Sequence, residues 1–358
     1  MPRQRLDLRA PLTELHVHLG AAVTPAIMWG IAHAQGIRLP TKDYWAFRDL
    51  ITVSRRRRRS LQAYLDLFHW TELIQSSPIA VERSVYEVIG GAYRKNNVTG
   101  LELRFNPMKR NRGGEQDLDH IIAAAVRGMD RAILEYPQVR AGLIFCLDRS
   151  FSRELNEIIA SKAISWRSRG VIAIDIAGPE FEDFKIADYS EIYAECRRAG
   201  LGLTVHAGET GGAAEVREAL EALEPDRIGH GVRAAEDDGV LAMLRERGTV
   251  LEVCPSSNLN TGVLRNLAEV RRVIRRFADD EVPFTISTDG PEMLRSYLRD
   301  ELNMLMRHDI LSFEEVLRAL EVGERASFLD RAPTIETSVA GRAEPGTDDA
   351  AIPVEVGT

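Results

Sequence analysis

From residue 13 to about 325, short apolar runs alternate with longer stretches whose apolar positions recur at helical spacing. Apolar strand followed by amphipathic helix is the pattern of βα units and a parallel sheet. Eight runs read as strands: Thr13–His18, Gly100–Phe105, Ala141–Leu147, Val171–Ile176, Leu201–His206, Asp226–Gly229, Thr249–Val253 and Pro283–Ser287. Between them the spacing predicts helices over Pro78–Lys95, Leu118–Glu135, Leu155–Arg169, Tyr189–Ala199, Ala213–Leu223 and Val263–Ala278. Eight parallel strands with helical crossovers close a (β/α)8 TIM-type barrel, so the fold class is α/β. Such barrels run roughly 200 to over 400 residues as one unit, and residues 1–330 are read as a single domain.

Two stretches break the rhythm. Residues 24–75 separate the first two strands and have room for two or three extra helices, which in a barrel sit over the C-terminal mouth as a helical lid insertion. Its aromatic and apolar residues, Trp29, Trp45, Phe47, Leu61, Tyr64, Leu65, Phe68 and Trp70, are read as packing between lid and barrel, with one or two free to cover a ligand. Residues 331–358, rich in Ala, Gly, Thr, Pro and acidic residues and without apolar periodicity, read as a flexible tail.

Composition narrows the partners. No apolar run approaches the ~18 residues of a membrane span, and a formal charge of −8 offers no overall attraction to nucleic acid. The first residues carry positive charge with no apolar segment behind it, so no leader is expected and the protein is read as cytoplasmic. Cys146, Cys196 and Cys254 are odd in number and far apart, which suits reduced buried thiols. A homo-oligomer is left open.

The chemistry gathers at strand ends. His16 and His18, two apart, leave one face of the first strand. His206 ends the fifth strand with Glu209 three residues on, His230 follows the sixth, and Asp289 follows the eighth. Four of the eight histidines thus fall where barrels assemble their sites. Three imidazoles and one carboxylate form an N/O donor set suited to one Zn2+ per chain, although ligand type alone also admits another divalent transition metal. Two acid–base groups then remain. The other four histidines, His33, His69, His120 and His308, stand in helical contexts and are read as surface or packing residues. The alternative zinc-deaminase design, H-x-E followed by P-C-x-x-C, is absent. Two basic clusters, Arg55, Arg56, Arg57, Arg58 and Arg59 in the insertion and Lys109, Arg110 and Arg112 after the second strand, are candidate phosphate ligands beside the plainer reading of a solvated charge run.

Six segments, HVHL at 16–19, DIAGPE at 175–180, TVHAGE at 204–209, RIGHG at 227–231, EVCPSSN at 252–258 and STDGP at 287–291, together resemble the adenosine deaminase family of metal-dependent amidohydrolases, in its order and over residues 12–325. The resemblance implies that His16, His18, His206 and Asp289 bind zinc, that Glu209 protonates the purine ring nitrogen N1, and that His230 orients the attacking hydroxide with Asp289 assisting as a base. It implies a backbone N–H from Gly178 to purine N3. The expected activity is hydrolytic deamination of an adenine-type nucleoside or nucleotide to the 6-oxo product and ammonia.

Two positions depart from that pattern. Gly20 stands where the family usually has an aspartate contacting the ribose, and Gly290 where a second aspartate contacts purine N7. Both substrate-binding positions lose a polar partner while the proposed catalytic groups remain. A phosphorylated or N6-substituted purine, another heterocyclic C–N bond, or a non-catalytic nucleotide-binding or assembly role on this scaffold are therefore carried as alternatives.

Overall fold

A computed structural model describes residues 6–53, 60–111, 117–179, 184–331. Eight parallel strands follow one another around a single sheet: β1 (Leu12–His18), β2 (Val98–Phe105), β3 (Arg140–Asp148), β4 (Val171–Ala177), β5 (Gly202–Ala207), β6 (Arg227–His230), β7 (Val250–Val253) and β8 (Phe284–Ile286). The sheet is a (β/α)8 barrel, with every strand within two residues of its expected bounds. β3 to β8 are almost wholly buried because helices cover them outside and side chains fill them inside, which is why most of them read as predominantly apolar runs. The seam closes just past β8. Val17 bridges Asp289, His18 N–H donates to the Asp289 carbonyl at 2.8 Å, and Asp289 N–H donates to the His16 carbonyl at 2.9 Å.

The helices begin where side chains can cap them. Ser77 accepts from Ala80 N–H, with Pro78 in the first turn of helix Pro78–Asn96, and Asp117 caps Leu118–Glu135. Two expectations shift. The helix expected over Leu155–Arg169 runs Arg153–Ser165 and then tightens into a 3-10 turn over Arg167–Arg169. The helix expected from Val263 starts at Leu267, where the Asn266 side chain accepts from Glu269 N–H.

The insertion after β1 contains four short helices among the described residues, one more than the upper expectation: Pro25–Ala34, Tyr44–Leu50, Leu61–Leu65 and Phe68–Ile74. Thr24, Asp43 and Ser60 cap the first three. A satellite core of Ala21, Val53, Tyr64, Leu67, Met293 and Leu294 fastens this insertion to the loop after β8. Val53 N–H donates to the Met293 carbonyl at 2.7 Å across the same junction. At the opposite end of the barrel, fully buried Phe328 lies 3.6 Å beneath the Arg227 guanidinium.

Arg55, Arg56, Arg57, Arg58 and Arg59, Arg112, and all of the tail except Arg331 lie outside the described residues. No helix among the described residues is long and apolar enough to cross a membrane.

Candidate active site at the C-terminal mouth

His16 and His18 leave β1 toward the barrel interior, His206 comes from β5, and Asp289 arrives just past β8. His18 Nε2 and His206 Nε2 stand 3.2 Å apart, and one ring nitrogen from each of His16, His18 and His206 falls within 4.8 Å of the others. Asp289 Oδ1 lies 3.5 Å from His18 Nε2 and 3.9 Å from His16 Nε2. His16 Nε2 is buried with no hydrogen-bond partner, a state that costs about 1–3 kcal/mol unless something binds there. An orphaned imidazole nitrogen facing two more imidazoles and a carboxylate fits a metal ion. Burial, with like-charge repulsion in the cluster, holds His16 and His18 well below the ordinary histidine pKa, so both are neutral donors.

Gly229 makes this convergence sterically feasible. It occupies the inward position of β6, and a Cβ there would lie 3.0 Å from His16 Cε1 and 3.2 Å from His206 Cγ. The next residue, His230, and Asp289 both adopt left-handed backbone, with φ of 59° and 65°. Such conformations cost of order 1–3 kcal/mol for non-glycine residues and are held where the surroundings over-determine them.

Behind the imidazoles lies a buried charged lattice. Glu252 Oε2 meets His16 Nδ1 at 2.7 Å, and Asp175 Oδ2 meets His206 Nδ1 at 3.0 Å. Arg104 joins the two carboxylates, at 2.9 Å to Asp175 and 2.8 Å to Glu252, and Arg227 Nε reaches Glu252 Oε1 at 2.6 Å. All four side chains are fully buried. Burial alone would raise both acids; His206 and Arg104 outweigh it at Asp175, and Arg104 and Arg227 at Glu252, so both are held below the ordinary carboxylate range. Ionised carboxylates on the far ring nitrogens fix the tautomers that leave Nε2 free to bind a metal.

Glu209 and His230 face the same cavity. His230 Nε2 is 3.7 Å from Glu209 Oε1, and the Asn258 amide reaches His230 Nδ1 at 3.2 Å and Glu209 Oε1 at 3.4 Å. Burial, aided by His206, lowers His230 to about 4, leaving it a neutral base. Ser257 donates to Asp289 Oδ2 at 2.6 Å. A second grouping, His16, His230 and Cys254, has ligand geometry too, but burial pushes the Cys254 thiol far up and keeps it protonated.

His18, His206, Glu209, His230, Asp289 and Gly178 all border this cavity, as do Gly20, Lys109 and Arg110. Gly178, at φ 100°, sits at the mouth end of β4. Lys109 pairs with Asp148, and Arg110 is 2% exposed. Gly290 does not border the cavity; Tyr64 stands between. The sequence reading missed Glu252, Asp175, Arg104, Arg227, Asn258 and Ser257. Charged residues inside buried strands were the available signal for Glu252, Asp175 and Arg104, and a charged residue opening a buried strand for Arg227.

A mouth that can hold a divalent metal beside groups that move protons has the equipment of a metal-dependent hydrolase on a barrel scaffold. The sequence profile described as adenosine deaminase matches residues 11–336, and the chain belongs to that family of aminohydrolases. An adenosine deaminase of Clostridium kluyveri is 30% identical over 321 residues, covering 90% of each chain. Among solved structures, an adenine deaminase from Arthrobacter aurescens superposes with a TM-score of 0.79 at 22% identity over 90% of this chain and 98% of that one. The N6-mAMP deaminase of Arabidopsis gives 0.75 at 22% identity, over 90% and 94%.

Proposed function

We propose that the protein hydrolytically deaminates an adenine-type purine nucleoside or nucleotide, releasing ammonia and the 6-oxo product. The observation that carries this reading is the convergence of His18, His206, Asp289, Glu209 and His230 on one cavity, with His16 beside His18 and His206 behind it. Zn2+ is the ion that three imidazoles and one carboxylate suit, and when bound it would supply the Lewis acidity that lets a water lose its proton near neutral pH.

In this reading Glu209 holds a proton at ring nitrogen N1, which makes the adjacent carbon electrophilic. Neutral His230 orients and accepts from the attacking water, and Asp289 assists through the oxygen that Ser257 leaves free. Gly178 offers its N–H to N3. Lys109 and Arg110, on the same cavity, support an anionic group such as phosphate on the sugar side. The protein is taken as one catalytic unit per chain.

The test is ammonia release by zinc-loaded protein across adenine, adenosine, deoxyadenosine, their mono- and triphosphates, and an N6-methyl set in which the amine released is identified. Turnover of one member supports the reading and fixes sugar, phosphate and N6 preference. Glu209→Gln should lower turnover by about 10²–10⁴ while zinc content is unchanged; near-normal turnover in that variant would remove Glu209 from its role.

A further inference from the structure

The position of Gly290 is spatially filled rather than vacant. A Cβ built there would lie 2.6 Å from the Tyr64 hydroxyl oxygen and 2.7 Å from Ala21 Cβ, so a side chain at 290 and the Tyr64 phenol are alternative occupants of one volume. Tyr64 is 2% exposed, clamped in the satellite core under the insertion, with its ring edge-on to Phe68 at 5.6 Å. Tyr64 borders the same cavity as Gly178 and Glu209. Its hydroxyl donates to Asp289 Oδ2 at 3.4 Å, a long hydrogen bond to an oxygen already served by Ser257 at 2.6 Å.

We propose that the Tyr64 hydroxyl is the specificity-determining donor on the five-membered-ring side of the purine, replacing the polar group that Gly290 lacks. The proposal rests on the purine deaminase reading above. An aspartate facing a ring nitrogen must itself carry a proton, because carboxylate and ring nitrogen both accept; a phenol donates as it stands. Burial and the nearby Asp289 and Glu209 charges keep Tyr64 protonated. Tyr64 reads the base; it does not take part in the chemistry.

The experiment is calorimetric titration of the zinc-loaded full chain with inosine and 7-deazainosine, and with their 5′-monophosphates, where a C–H replaces N7. Wild type should bind each N7-bearing probe about tenfold more tightly than its deaza partner. Tyr64→Phe should bind both members of a pair alike. Equal affinities in wild type, or an undiminished preference in Tyr64→Phe with zinc content intact, overturn the proposal. Failure of wild type to bind any probe, together with silence across the ammonia panel, overturns the deaminase reading and this proposal with it.

Discussion

The two walls of the cavity are made differently. One wall is strand ends: imidazoles and a carboxylate whose far atoms are braced by Asp175, Glu252, Arg104 and Arg227 in full burial. The other is the insertion, where Tyr64 and Phe68 crowd the positions of Gly290 and Gly20. The first wall is fixed by charge pairing that tolerates little displacement; the second is fixed by the shape of apolar and aromatic groups. On the proposed function, the groups that hold the metal and move protons sit on the first wall and the Tyr64 contact on the second, so the two can be altered separately.

That separation is open to attack. The largest effect is expected from Glu252→Gln, which removes one carboxylate from two buried guanidinium groups and from His16. Metal affinity should fall about 10–100-fold in a chelator-competition titration, and unfolding free energy by about 3–5 kcal/mol. An unchanged metal affinity would mean that the lattice only supports the fold. A smaller loss is expected from Gly20→Asp, whose Cβ would approach the Phe68 ring at 2.8 Å. Overpacking of this kind costs about 1–3 kcal/mol, read as a lower melting temperature with metal affinity intact, and adding Phe68→Ala should relieve it. Loss of metal from Gly20→Asp would show the two walls to be coupled.

The smallest effect concerns Glu301, which accepts from Ser256 N–H at 3.0 Å and from Ser296, beside the turn that carries Ser257. Burial raises its pKa from 4.5 to about 7. The folded chain thus holds a proton there that the unfolded chain releases near 4.5, so this group's contribution to stability falls as pH rises from 4.5 toward 7 and is constant above. Glu301→Gln should flatten the stability profile across that window by up to about one proton's worth of slope, measured by denaturant unfolding at several pH values. An unaltered slope would place the titration elsewhere.

The barrel was legible because its strands are covered on both faces, so Val171–Ala177 and Gly202–Ala207 read as mostly apolar runs, with Asp175 in the first and Thr204 and His206 in the second as their polar members. The proposed site residues His16, His18, His206 and Asp289 were legible because each is a polar residue within three positions of the C-terminal end of such a strand. Arg104 was not, since its partners Asp175 and Glu252 lie 71 and 148 residues away and only barrel register brings them together. Tyr64 was read as packing, which it does; that its hydroxyl fills the space beside Gly290 depends on a helix entry angle that no local pattern encodes.

The closing seam of the barrel runs through Val17 and Asp289, joining His16 and His18 near the start of the chain to Asp289, 271 residues beyond His18. Contacts of such long sequence separation are slow to form, because loop closure precedes any gain from pairing. The metal pocket is thus among the last features to assemble during folding. On the proposed function, a chain ending before β8 would carry His16 and His18 on an open edge with no Asp289 to join them, so metal acquisition would report closure of the barrel and bound metal would hold its two ends together against unzipping.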